Sequence, residues 1–315
     1  MIQRLITLAA KNAFRAALSL TPNRILGSAA LHLAKRREFA ERYGRSLIAT
    51  LAPHLGIDGL VTKGIVGPVI SAPNDMIVFA HYAKHKNWAE PTNKLFHEFF
   101  SKCEKGTYVD IGANIGLTLL RVAQLPNISC IGFEPEPTNF ANLTLNVRLN
   151  CPFNNVVLHQ VAAFDREATV EMALSDFNLG DHRLQLGGAS GVASSVKVRA
   201  AALDLLLGEL QHPIAIKIDT QGAEPFVING GRQVIGQADL LLMEWWPTGM
   251  LKMGADPEAA VAFVRHHFKR GYIWPEGADS CPRPTSISAI CDEMLRLYAE
   301  WQTTNAYTDL VVFRE

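Results

Sequence analysis

The stretch Val109-Asp110-Ile111-Gly112-Ala113-Asn114-Ile115-Gly116, with Phe133-Glu134-Pro135-Glu136-Pro137 after it, decides how this chain folds. An apolar run leads into Asp110 and a glycine-spaced turn. A second apolar run ends at Glu134, eighteen residues beyond Gly116. The order reads as strand, tight turn, helix, strand and acidic tip, the arrangement with which a doubly wound sheet forms a nucleoside pocket. Glycines allow close approach of a ligand to the backbone. A carboxylate ending the second strand can accept hydrogen bonds from both ribose hydroxyls.

The turn departs from the dinucleotide pattern Gly-x-Gly-x-x-Gly, since Gly112 and Gly116 enclose three residues and Asp110 stands just before them. Negative charge there opposes a pyrophosphate and suits an ammonium group. The ligand expected is a nucleoside with a cationic amino-acid tail, which points to S-adenosylmethionine.

Beyond residue 105, short apolar runs alternate with helical patterns, which predicts an α/β fold with a mostly parallel sheet. The strands expected are 107–111, 129–134, 156–161, 214–219, 239–245, 270–275 and 308–314. Two more, near 167–173 and 195–200, suggest a hairpin-like insertion. Pro91 to Lys102 reads as a helix with Leu95, Phe96, Phe99 and Phe100 inward, and Gly56 to Pro73 as short strands. The chain divides into an N-terminal helical extension with short strands, residues 1–75, and a main domain, 76–315.

Residues 1–20 have helical spacing, with Ile2, Leu5, Ile6, Ala9, Ala13 and Ala16 on one face and Arg4, Lys11 and Arg15 opposite. A second helical stretch runs from Ala29 to Leu51. The first 37 residues carry seven Lys or Arg and no acid. Such a helix can rest on an anionic membrane surface, but its alanine-rich face favours packing on the main domain or on a second subunit of a homo-oligomer. Thirty basic and thirty acidic residues balance, so charge gives no reason to expect nucleic acid. Five scattered cysteines fit a reducing, cytoplasmic setting, and no apolar run is long enough to span a bilayer.

A second constellation is Ile216-Lys217-Ile218-Asp219-Thr220-Gln221-Gly222-Ala223-Glu224, again strand, polar tip and glycine turn. If the sheet order reverses after the first strand, Asp110 and Asp219 project from neighbouring strands into one cleft. Glu244 ends the next strand, before Trp245 and Trp246.

With these residues, the chain resembles the FkbM family of S-adenosylmethionine-dependent methyltransferases. The resemblance rests on VDIGANIG (109–116), FEPEPTNFANLTLN (133–146), Ala162-Ala163, Leu203-Asp204, IKIDTQGAE and Met243-Glu244, and covers about 105 to 315. It implies a class I, Rossmann-like methyltransferase sheet of seven strands, helices on both faces, with 309–313 antiparallel. It also implies O-methylation of a hydroxyl, commonly on a sugar of a polysaccharide or glycolipid, or on a glycosylated natural product. The cofactor residues it suggests are Asp110, Gly112, Ala113, Asn114, Gly116, Glu134, Pro135 and Ala163. Phe164-Asp165 departs from the family, where a small polar residue often precedes the aspartate.

An alcohol needs its proton removed as it attacks. Asp219 is the first candidate for that base, with Glu224 and Glu244 next. Asp219 could instead hold the cofactor's ammonium group, and Glu224 could serve only the helix dipole. Lys217 either pairs with an acid below the cleft or snorkels. Trp245 and Trp246 offer a face for a sugar ring or fill the core. His81 and His85 have i, i+4 spacing but no third ligand, so no metal is expected; His182 is a further possible base. Specificity is expected in 175–195 and 246–258. Competing readings are a nicotinamide-dependent oxidoreductase and a non-catalytic cofactor-binding scaffold.

Overall fold

A computed structural model describes residue 52 and residues 56–176, 178–186, 194–274, 281–301, 304 and 306–315. The basic amphipathic helix expected at 1–20, and the one from Ala29 to Leu51, lie outside the described residues.

The chain opens with a hairpin, β1 (Leu60–Gly64) and β2 (Gly67–Ser71), followed by helices Val78–His85 and Glu90–Phe100. Then come β3 (Gly106–Ile111), β4 (Ile128–Phe133) and β5 (Val156–His159). A side sheet follows, built from β6 (Ala162–Ala163), β7 (Ala168–Ala173), β8 (Arg183–Gln185) and β9 (Ser195–Ala201). The chain returns to the main sheet with β10 (Ile214–Ile218), β11 (Leu240–Trp245), β12 (Arg270–Trp274), β13 (Thr285–Ser286) and β14 (Thr308–Phe313).

The main sheet has the order β13-β12-β14-β11-β10-β3-β4-β5. Strands β5, β4, β3, β10 and β11 pair in parallel, and β14 inserts antiparallel between β11 and β12. Seven strands meet the expectation; the two-residue β13 adds an eighth at the edge, because the chain pairs briefly with Arg270 and Gly271 before its last helix. The order reverses between β3 and β10, which places a crevice at their C-terminal ends.

Central strands β3, β10 and β11 are buried along their whole length, as parallel strands covered on both faces must be. Successive side chains divide between two cores. Val109, Ile216, Leu241 and Met243 pack with Val227, Val264 and Met294 from the helices of one face. Tyr108, Ala215 and Leu242 pack with Phe96, Phe100, Leu119 and Leu143 on the other. Phe96 and Phe100 are fully buried, while Leu95 and Phe99 pack only partly.

Helix Pro137–Asn150 begins cleanly: Pro137 occupies the first turn, and the Glu136 side chain accepts a hydrogen bond from the Asn139 N–H. Its inner face also holds the hairpin. Asn146 accepts from the Ile70 N–H at 2.7 Å and donates to the Ile70 and Ile115 carbonyls. One turn on, Asn150 donates to the Pro68 carbonyl. The boundary drawn at residue 75 thus falls between two pieces that contact the main fold through hydrogen bonds and through Val66, Val69, Phe79 and Tyr82.

Candidate active site

A cavity of about 540 Å³ opens at the β3–β10 crevice, a size ordinary for a small-molecule site. Its walls come from the turns after β3, β4 and β10, from β11 and β14, and from residues 178–184 of the side sheet.

The end of the cavity expected to take a nucleoside is organised by Glu134. Its Oε2 accepts the Asn114 N–H at 2.9 Å and its Oε1 accepts the Glu136 N–H at 2.8 Å. One carboxylate thus ties the turn after β3 to the turn after β4, and each oxygen keeps a lone pair for a further donor. Burial pushes its carboxyl up to about 7, opposed by the two backbone N–H groups. Ala113, Asn114, Pro135 and Ala163 line the same end of the cavity.

Gly112 lines it too, and its bare Cα also serves the packing of the neighbouring turn. At φ +83°, a Cβ there would stand 1.9 Å from the Asp219 carbonyl oxygen. The glycine admits the neighbouring turn, so the close approach is backbone to backbone. Gly116, at φ +92°, is absent from the cavity wall, and its bare face meets Leu143.

Asp110 also requires correction: it does not project into the cleft. Strand β3 continues through Ile111, so Asp110 is register partner of Lys217 inside the sheet and is fully buried. Its Oδ2 accepts the Thr118 hydroxyl at 2.5 Å, and its Oδ1 lies 3.4 Å from the Lys217 ammonium. Lys217 Nζ is also 3.2 Å from Asp219 Oδ2. Burial alone would lower the Lys217 pKa, but Asp219 and Asp110 together hold it above the usual lysine range. Burial raises Asp110, against the pull of Lys217 and Thr118. Lys217 therefore links a buried acid to one facing the cavity.

Asp219, one residue past β10, does line the cavity, and its Oδ1 accepts the Gln221 amide at 2.9 Å. Gln221, itself at φ +57°, reaches Glu244 with the same nitrogen at 3.3–3.4 Å. Glu244 lines the cavity at 8% exposure. Burial raises its carboxyl well above the usual range, and the charges of Asp219, Glu224 and Asp309 add to this. Glu224 does not reach the cavity. It is fully buried, with its oxygens accepting from the Thr220 N–H and hydroxyl and from the Gly222 N–H. Those bonds shape the turn that presents Asp219 and Gln221, which makes Glu224 a positioning residue.

Sequence reasoning missed Asp309. It lies opposite Glu244 across the β11–β14 ladder and lines the cavity, with burial pushing its carboxyl up to about 6. It also missed how the side sheet is pinned. Asn114 and Asn139 both donate to the Leu179 carbonyl, at 3.1 and 2.8 Å, and so hold 178–184 beside the cavity. In that segment His182 Nδ1 accepts the Ser175 N–H, and burial lowers its pKa. Arg183 is bound to Asp181 and sits 4.4 Å from the Trp246 ring centroid, which covers the face expected to meet a sugar. Trp245 is core. His81 and His85 stack beside Trp88, and among the described residues no group of three or more His, Cys, Asp or Glu is arranged to hold a metal.

The model of the FkbM methyltransferase domain matches residues 110–273, just over half of the chain. The chain belongs to the FkbM methyltransferase family. The match takes in Glu134, Asp219, Glu224 and Glu244 and stops short of Asp309. A putative methyltransferase from Streptococcus mutans in complex with SAH is 10% identical over 70% of this chain and 97% of that one, with a TM-score of 0.38. A precorrin-6y C5,15-methyltransferase from Geobacter metallireducens is 12% identical over 70% and 87%, with a TM-score of 0.37. The ribosomal protein L11 methylase of Lactobacillus delbrueckii is 11% identical over 71% and 77%, with a TM-score of 0.36. Comparison with curated proteins finds no match.

The cofactor of this methyltransferase family is S-adenosylmethionine, and the charge of the cavity fits it. Five acids line the wall, Glu134, Asp181, Asp219, Glu244 and Asp309, against two cations, Lys217 and Arg183. Both cations are already matched, Lys217 by two carboxylates and Arg183 by Asp181. A sulfonium with an ammonium tail is complementary to such a wall; a pyrophosphate is not. Among the described residues no helix is long and apolar enough to cross a membrane.

Proposed function

We propose that this methyltransferase acts on oxygen, transferring a methyl group to a hydroxyl of a sugar in a polysaccharide, glycolipid or glycosylated natural product. The observation that carries this reading is the placing of the cavity's acids across the sheet, Glu134 after β4 on one side of β3 and Asp219 with Glu244, after β10 and on β11, on the other. The cofactor supplies an electrophilic methyl on its sulfonium. Glu134 accepts the ribose hydroxyls. Asp219, held by Lys217 and Gln221, orients the acceptor hydroxyl and takes its proton. A positioned base contributes roughly a hundred- to ten-thousand-fold. Residues 178–184, held by Asn114 and Asn139, wall the cavity and would limit the access of water to it.

Calorimetry on the full chain tests the cofactor half. S-adenosylmethionine should bind, and Glu134→Ala should weaken it by about 1–3 kcal/mol through the lost ribose bonds. Binding of a nicotinamide dinucleotide in its place would overturn the reading in favour of an oxidoreductase. Transfer of a tritiated methyl group to a glycan extract tests the other half. Cofactor binding with no transfer to any acceptor pool would favour a scaffold.

A further inference from the structure

Apart from Glu134, whose oxygens are held by two backbone N–H groups, the cavity carboxylates that bind no cation are Glu244 and Asp309, and they lie together. Glu244 and Asp309 are directly opposed residues of antiparallel strands, so their side chains share one face of the sheet. Lys217 is taken by Asp110 and Asp219, and Arg183 by Asp181. Among the described residues Glu244 receives only the long Gln221 contacts, and no hydrogen-bond donor reaches Asp309. Two directly opposed carboxylates, Glu244 buried and Asp309 half-buried, both short of donors, are unfavourable unless a ligand brings donors to them.

Their place in the sheet says which ligand. Strands β11, β10 and β3 separate β14 from β4, so at ~4.8 Å per strand Asp309 lies roughly 19 Å from the strand that presents Glu134. That is the end of the cavity remote from the ribose carboxylate, beyond Asp219.

We propose that Glu244 and Asp309 form the acceptor subsite and select a neutral or cationic, hydroxyl- or ammonium-rich molecule, such as a neutral or amino sugar, over an acidic or phosphorylated one. This rests on the methyltransferase reading above. Asp219 remains the group facing the hydroxyl that is methylated, and the pair holds the donors next to it. The groups around the pair are Lys217, Asp219 and Gln221 from β10 and its turn, with Glu224 behind that turn. The raised carboxyl of Glu244 lets it serve as a donor as well as an acceptor, which suits hydroxyl groups.

Saturation-transfer NMR on the full chain, saturated with S-adenosylhomocysteine, tests this with three probes: methyl glucosaminide, methyl glucoside and methyl glucuronide. The first two should bind and the glucuronide should not. Asp309→Ala and Glu244→Ala should each weaken the bound probes by about tenfold or more, the scale of the hydrogen bonds lost. Affinity for S-adenosylhomocysteine, measured in parallel, should stay within about threefold in both variants, which also shows that they fold. Binding of the glucuronide as well as the others, silence from all three probes, or unchanged probe affinity in both variants would overturn the proposal. Failure of S-adenosylhomocysteine to bind wild type would instead overturn the cofactor reading.

Discussion

Asp110 and Lys217 form a buried ion pair whose halves are unequally supported. Thr118 and Lys217 engage Asp110, yet its Oδ1 has no hydrogen bond and depends on the ammonium 3.4 Å away. Removing the lysine leaves an uncompensated acid inside the sheet, the situation that costs about 3–5 kcal/mol in buried pairs. Lys217→Met should destabilise the protein by that order in urea unfolding, and adding Asp110→Asn should recover a large part of the loss. If Lys217→Met proves as stable as wild type, the pair is not holding the sheet together. The roles of these residues were only half legible in the sequence. VDIG and KIDTQG look alike, each an acid before a glycine turn, but β3 runs one residue past its acid while β10 stops one residue short of its own. That offset of two residues decides whether a carboxylate sits within the strand or beyond its tip. No local signal encodes that, since it is set by where the ladder between β3 and β10 ends.

At the scale of elements, the same ladder made the strands easy to read. Strands covered on both faces are mostly apolar, and such runs mark β3, β10, β11 and β14 to within about one residue. Asp309 stayed hidden because its meaning comes from pairing with Glu244, distant in the chain, and an antiparallel register between remote strands leaves no spacing to find. The docking of the β1–β2 hairpin was hidden likewise, since it depends on polar side chains. Asn146 is fully buried and makes one bond as acceptor and two as donor, to Ile70 and Ile115. Asn146→Ala leaves those backbone groups without partners at about 1–3 kcal/mol for each that stays dry. The expected outcome is a loss of about 3 kcal/mol in chemical unfolding, with faster hydrogen exchange at the Ile70 amide. An exchange rate at Ile70 unchanged from wild type would show that the hairpin is held by its apolar contacts instead.

For the molecule as a whole, the cavity and the turn behind it concentrate carboxyl groups that folding makes harder to ionise. Burial carries both Glu134 and Glu224 up to about 7, from an ordinary 4.5, and Asp309 up to about 6. A raised carboxyl binds protons in the folded state that the unfolded chain has already released. Its contribution to stability is therefore complete below about pH 4.5 and is lost as pH rises through about 7. His159 and His182, lowered by burial, act in the opposite sense, losing their contribution as pH falls below the ordinary histidine value. Total stability mixes the two, so the informative quantity is a difference. Glu224→Gln removes one raised carboxyl, keeps an acceptor oxygen for the 220–222 turn, and touches none of the histidines. Wild type should lose stability relative to this variant by about 3 kcal/mol between pH 4.5 and 7.5, the equivalent of the Glu224 shift. Unfolding midpoints for both proteins across that range check it, and a difference that stays level would mean Glu224 ionises as freely in the fold as outside it. The same electrostatics bears on ligand binding: a fold that retains buried carboxyls at neutral pH gains most from a ligand whose own positive charge lets them ionise. The raised carboxyls of the cavity and its fit to a sulfonium are one property.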